Sequence, residues 1–287
     1  MNLLPYNTFR VSVQAKNFKI ISDRKDIPKE PCLVLGSGAN ILLTKDFDGL
    51  VIKNELLGRK VLGEDDDSVL VEISSGENWI ELVNWSVEKG LSGIENMAFI
   101  PGSVGAAAVG NIAAYGGNVE DVIEEVSAVE LSSGQSRQFS KGDLKFGYRE
   151  SIFSKELKNN FFLTSVTMKL SKKAKYDTNY HSRYESLSSY LPNHPDSPYS
   201  SKEIAEAVTK IRLDKLPDFR KVRTAGSFFK NPIISKTQAV ELQKEVKELQ
   251  IYPAEKLIYS DQPLGDLVKI PAGRLLDELG WKGKRIG

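Results

Sequence analysis

The sequence predicts an α+β protein, on three observations. Short apolar runs stopped by glycine turns fill the N-terminal third, one long alternating run occupies residues 161–170, and amphipathic helical patterns gather after residue 200. Taken in order, residues 31–35 read as a buried strand ended by the turn Gly36-Ser-Gly-Ala-Asn40. Residues 41–43 and 50–52 are apolar runs on either side of a turn at 45–49, so residues 1–54 form a small α/β unit. A charged loop at 63–68 leads into a strand at 69–73. Residues 77–90 place Trp79, Leu82, Val83, Ser86 and Val87 on one helical face, with Gly90 as the C-terminal cap. Residues 125–131 and 138–140 around Ser132-Ser-Gly134 read as a hairpin, and 161–170 as a strand, giving an α+β region over 55–199.

Residues 171–201 are polar and rich in tyrosine, serine and proline, which predicts a long loop. Helices follow at 201–214, ending before Pro217, at 236–249, and at 272–279 between Pro271 and Gly280. Residues 200–287 make the third region.

Composition narrows the function. Thirty-nine basic against thirty-eight acidic residues leave +1, so no overall field draws in nucleic acid or an anionic membrane. The single cysteine, Cys32, lies in an apolar run and reads as a structural thiol of a reducing compartment. With only two histidines, His181 and His194, no metal site is expected. The N-terminus lacks the basic start and apolar stretch of a signal peptide. Residues 97–117 carry no charge and are long enough to span a bilayer, but Pro101, Asn111 and five glycines would leave backbone groups unpaired in lipid. A buried loop region is the better reading.

Four segments have the residue types of chemistry. The turn from Gly36 to Asn40 follows a strand and has the small residues of an anion nest, although Ile41 stands where the dinucleotide fingerprint needs its third glycine. A tight turn is the competing reading. Residues 94–117 bury little area for the entropy they cost, which suits either backbone contact with a large flat ligand or close backbone packing. Tyr148, Arg149 and Glu150 lie between apolar residues, where the guanidinium can bind a carboxylate, either a ligand's or that of Glu150. Ser227 precedes two aromatics in a turn. It is no nucleophile elbow, because Phe229 replaces the second glycine, and the hydroxyl is left as a proton donor or a turn residue.

In this order the motifs resemble the UDP-N-acetylenolpyruvoylglucosamine reductase family. They are Pro5-Tyr-Asn-Thr-Phe9, Gly36-Ser-Gly-Ala-Asn40, Gly93-Ile-Glu-Asn96, Ile100-Pro-Gly-Ser-Val-Gly105, Asn111-Ile-Ala-Ala-Tyr-Gly116, Phe146-Gly-Tyr-Arg149, Ser151-Ile-Phe153, Lys215-Leu-Pro217 and Gly226-Ser-Phe-Phe-Lys-Asn-Pro232. The resemblance implies an FAD-binding fold of the vanillyl-alcohol-oxidase/PCMH type in two subdomains, 1–54 and 55–199, plus a C-terminal α+β substrate domain over 200–287. It implies electrons from NADPH, a UDP-sugar enolpyruvyl ether as substrate, and a cytoplasmic place in peptidoglycan synthesis. The cofactor would be held by Gly36, Ser37, Gly38, Ala39, Asn40, Pro101, Gly102, Ser103, Gly105, Asn111, Ile112, Tyr115 and Gly116. Arg149 and Ser227 would be catalytic, as charge stabiliser and proton donor. Tyr148, Tyr180, Lys215 and Asn231 would contact substrate, with Tyr180 on the loop that marks one subtype. Members of the family continue past the position of Gly287 to a catalytic glutamate, so the chain is expected to be a fragment. Two rivals are weighed. A covalent-flavin oxidase of the same fold gains no support, since His181 and His194 lie outside the glycine-rich segments. A non-catalytic FAD or UDP-sugar binder is opposed by the retained Arg149 and Ser227.

Overall fold

The computed structural model describes residues 1–173, 187–192, 199–224, 226–254 and 264–284. It divides into two compact units, Met1–Gly226 and Ser227–Gly287.

The first unit is built on two sheets. Strands β1 (Ala15–Ile21), β2 (Leu33–Leu35) and β3 (Phe47–Asn54) form a parallel sheet in the order β1-β3-β2. Strand β3 absorbs Phe47, Asp48 and Gly49, which the sequence assigned to a turn, because pairing with β1 continues to the level of Ala15. Successive side chains of β3 serve opposite faces. Val51 packs with Leu3, Ala15, Leu35 and Leu43, whereas Ile52 packs with Ile21, Leu131 and Phe162.

The second sheet is antiparallel. It contains β4 (Arg59–Glu64), β5 (Ser68–Ser74), then, after the helices α1 (Trp79–Glu88) and α2 (Val104–Gly110) and a short ribbon of β6 (Ala113–Ala114) and β7 (Gly117–Asn118), β8 (Ile123–Glu130), β9 (Ser136–Ser140) and β10 (Phe161–Ser171). Its order is β4-β5-β10-β8-β9. The charged loop expected at 63–68 is narrower than its charge suggested, since Gly63 and Glu64 pair with Leu70 and Val69. Central β10 is buried on both faces, so its alternation does not separate core from solvent.

Helix α1 buries Trp79, Leu82, Val83 and Ser86 and is opened by Asn78, whose Oδ1 accepts from the Ile80 and Glu81 N–H groups. At its end Leu91 N–H donates to Ser86 O and Gly90 N–H to Val87 O. Helix α3 (Ser201–Lys215) starts with a capping box between Ser200 and Glu203. It buries Ile204, Val208 and Ile211 in the same core as α1 and α2, and so belongs to the first unit. Leu187 of the 171–201 stretch also enters this core. Among the described residues no helix is long and apolar enough to cross a membrane, and of residues 97–117 only seven are α-helical.

The second unit holds β11 (Ile233–Ser235), α4 (Lys236–Glu245), β12 (Tyr252–Pro253), β13 (Leu267–Lys269) and α5 (Ala272–Glu278), with the sheet order β11-β13-β12. Helix α4 stops four residues short of the expected 249, where Val246 leaves helical geometry. Ala239, Val246, Leu249, Val268 and Ile270 form its core.

Candidate flavin and substrate site

The turn after β2 is shaped by close backbone contact. A Cβ at Gly36 would overlap the Ser103 hydroxyl, and one at Gly38 would overlap the Tyr6 carbonyl. Gly38 also has φ of +61°, a region that costs other residues energy. Thr8 N–H donates to Gly38 O (3.1 Å) and its hydroxyl to Ala39 O (3.4 Å). Among the described residues, the N–H groups of Ser37, Gly38, Ala39 and Asn40 meet no protein acceptor. Four consecutive donors without a protein acceptor fit an anion nest.

Ser103 joins this turn to a second loop. The 3-10 turn Glu95–Met97 is held from within: Gly93 N–H donates to the Glu95 carboxylate (2.5 Å), and Trp79 Nε1 to Met97 O (3.0 Å). Burial raises the Glu95 carboxyl above the usual range, against the backbone N–H groups of Glu95, Gly93 and Ile94, which favour its charge. Phe99 then takes φ of +57°. Pro101 has no N–H, and those of Gly102 and Ser103 have no protein acceptor among the described residues. The first N–H groups of α2 are occupied, Val104 by Glu77 O (2.9 Å) and Gly105 by Ser75 O (2.8 Å). The open donors therefore lie before the helix and not at its end.

The third segment runs from Asn111 through Gly116. Asn111 caps α2 in the left-handed region (φ +42°), and Tyr115 has φ of +48°. Asn96 Nδ2 holds the Tyr115 carbonyl at 2.6 Å. Ile112, Ala113, Ala114 and Tyr115 are half-buried, as are Phe99, Ile100 and Pro101, so an uncharged surface stays open beside the donors.

Arg149 is fixed against this segment. Its Nη1 donates to Asn111 O (3.2 Å) and Nη2 to Ala113 O (2.6 Å), with φ of +56°. Its guanidinium also lies 5.5 Å from the centre of the buried Tyr148 ring. The neighbouring acid does not pair with it: the Glu150 carboxylate binds Lys155 at 2.7 Å. Among the described residues Arg149 has no carboxylate partner.

Arg212 escaped the sequence reading. Its Nε donates to Phe99 O (3.2 Å), and burial lowers its pKa, against a smaller opposing effect of nearby Tyr115. The signal was present: Arg212 follows Ile211 and stands four residues after Val208, on the edge of the apolar face of α3. Lys215 is the exposed last residue of the same helix.

In the second unit Ser227 is exposed, as are Phe228 and Phe229, whose rings meet edge-on at 5.1 Å. Asn231 has a structural duty, since its Oδ1 accepts from Ala272 N–H at the start of α5 (2.9 Å). Tyr180, His181 and His194 lie outside the described residues.

Open backbone donors next to an uncharged, half-exposed surface fit a dinucleotide with a pyrophosphate and a flat ring system. Comparisons with known proteins agree. An FAD binding domain model matches residues 25–140, and the UDP-N-acetylenolpyruvoylglucosamine reductase C-terminal domain matches 217–287. The UDP-N-acetylenolpyruvoylglucosamine reductase of Flavobacterium johnsoniae is 38% identical over 294 residues, covering 100% of this chain and 83% of the relative. That of Pseudomonas aeruginosa is 36% identical, covering 100% and 83%. The solved structure of the Thermus caldophilus enzyme covers 100% of this chain and 94% of its own, with a TM-score of 0.61 at 20% identity, a likeness of fold. The fold is the FAD-binding PCMH type completed by a reductase C-terminal domain. The chain belongs to the UDP-N-acetylenolpyruvoylglucosamine reductase family.

Proposed function

We infer that this chain, an FAD-dependent enzyme reducing UDP-N-acetylenolpyruvoylglucosamine in peptidoglycan synthesis, divides its chemistry between Arg149 and Ser227. Its substrate is the enolpyruvyl ether of UDP-N-acetylglucosamine, its product UDP-N-acetylmuramate, its electron donor NADPH, and its compartment the cytoplasm. Residues 1–54 and 55–199 are the FAD subdomains of this reading, and 200–287 its substrate portion, of which α3 packs in the first unit.

The N–H groups of Ser37, Gly38, Ala39, Asn40, Gly102 and Ser103 would hold the FAD pyrophosphate, and Ile100, Pro101, Ile112 and Tyr115 would give its rings an apolar bed. FAD held there would supply the redox chemistry, hydride transfer between NADPH and the terminal alkene carbon of the substrate. Negative charge then develops on the carbon beside the substrate carboxylate, as an enolised carboxylate. Arg149 supplies fixed positive charge there. Ser227 protonates that carbon, so hydride and proton together saturate the double bond. Tyr148, Tyr180, Lys215 and Asn231 contact the substrate in this reading.

The observation that carries it is Arg149: a guanidinium held in a left-handed backbone by two carbonyls, with no carboxylate of its own among the described residues. Such a cation awaits an anion from outside. The test follows both half-reactions at the flavin band. Ser227→Ala should leave reduction by NADPH within about threefold and slow reoxidation by substrate by about a hundredfold. Equal loss in both halves would remove Ser227 as the proton donor.

A further inference from the structure

We propose that Asn111, steadied by Glu120, is the positioning residue for Arg149. The inference rests on Arg149 acting on the substrate as described above.

Arg149 holds an unfavourable backbone geometry, which persists only where the surroundings over-determine it. Asn111 supplies much of that determination from two directions. Its backbone carbonyl accepts from Arg149 Nη1 (3.2 Å). Its side-chain Nδ2 donates to Gly147 O (2.9 Å), in the turn where Gly147 and Glu150 exchange backbone bonds of 3.0 and 3.1 Å around Arg149. Asn111 therefore grips both the guanidinium and the loop that carries it.

Glu120 completes the arrangement. Its Oε2 accepts from the same Nδ2 at 2.9 Å, so both hydrogens of the amide have acceptors. Asn111 is 4% exposed and its Oδ1 has no partner, so the polar work of its side chain among the described residues is done through Nδ2. Capping α2 does not require that amide. The cap is made by the Asn111 backbone N–H, which reaches Ala107 O and Ala108 O, and by its left-handed φ, which glycine would also supply. Aspartate in its place has no donor and would face the Glu120 carboxylate. Serine has one donor on a shorter arm.

The experiment uses FAD-loaded protein and three variants: Asn111→Asp, Glu120→Gln, and the two combined. Asn111→Asp should slow substrate-driven reoxidation of the reduced flavin by about a hundredfold, the cost of a misplaced charge, and by at least about tenfold more than it slows reduction of the FAD-loaded protein by NADPH. Glu120→Gln should slow reoxidation by about threefold, because a charged acceptor becomes a neutral one. In the double variant the amide introduced at position 120 can donate to the carboxylate introduced at position 111, and about tenfold of the loss should be recovered. Calorimetry provides a readout apart from turnover: substrate binding to the oxidised protein should weaken in Asn111→Asp and partly recover in the double variant.

Equal loss in both half-reactions, unchanged reoxidation in Asn111→Asp, or no recovery in the double variant would each overturn the proposal. If Asn111→Asp does not fold, Glu120→Gln decides, and reoxidation matching the parent protein would overturn it. Failure of the parent protein to oxidise NADPH when given the enolpyruvyl substrate would instead remove the functional reading beneath it.

Discussion

Strand β10 and residues 97–117 are both almost free of charge and both sit inside the first unit, yet they are assembled on opposite plans. The strand fills its own space. Phe161, Phe162, Leu163, Val166, Met168 and Leu170 are buried, and it pairs with β5 on one side and β8 on the other. The 97–117 stretch instead uses small residues and takes positive φ at three non-glycine residues, Phe99, Asn111 and Tyr115. It keeps a half-exposed apolar surface beside open N–H groups. An uncharged sequence can thus specify either a core or a receptacle. The difference lies in side-chain volume and in whether the backbone is satisfied internally.

Three substitutions sharpen that contrast, beginning with the largest expected effect. Phe162→Ala removes a fully buried ring between the two sheets and should cost about 3–5 kcal/mol in denaturant melts. Flavin bound per folded molecule should not change, and selective flavin loss would show that the strand is part of the receptacle. Gly38→Ala adds a single methyl where φ is +61° and the Tyr6 carbonyl is in the way, and should cost about 2–4 kcal/mol. Unlike the first, it should empty the flavin site of folded protein, as read by bound flavin per mole. Full occupancy would mean that the nest does not serve the cofactor.

The smallest effect concerns Glu95, which supports the receptacle by accepting the Gly93 N–H. Burial raises its pKa above the ordinary value of 4.5, so the folded state holds this proton more tightly than the unfolded chain. Its contribution to stability is full below 4.5 and is lost as pH rises through the folded value. Glu95→Gln retains an acceptor and cannot ionise. The melting temperature of the variant relative to the parent should therefore improve between about pH 4 and pH 7. A pH-independent gap would show that Glu95 titrates alike in the folded and unfolded states.

Much of the fold was legible where a residue type answers one local question. Gly90 closes a helix, and the hairpin at Ser132-Ser-Gly134 joins β8 to β9. The extension of β3 to Phe47 was not legible, because a strand edge is set by the partner strand and not by its own turn formers. The family was legible as an ordered set of motifs that span the candidate site. Two facts inside it were not: Arg149 leaves Glu150 to Lys155, and Arg212 reaches Phe99 from a helix more than a hundred residues away. Adjacent residues in sequence need not face one another, and a charge on an apolar helix face declares its partner only once packed.

By itself the sequence determined the small-residue turn at Gly36, the uncharged run ending at Gly117, and the family whose motifs both carry. Those properties are local, set by absent side chains and by residue identity. Only the tertiary structure decided that the turn meets Ser103, that the N–H groups before α2 stay open while those of its first turn are used, and that Asn111 holds Arg149 with Glu120 behind it. Hydrogen bonds and close contacts between distant segments depend on where packing brings backbones together, and no window of sequence contains that information.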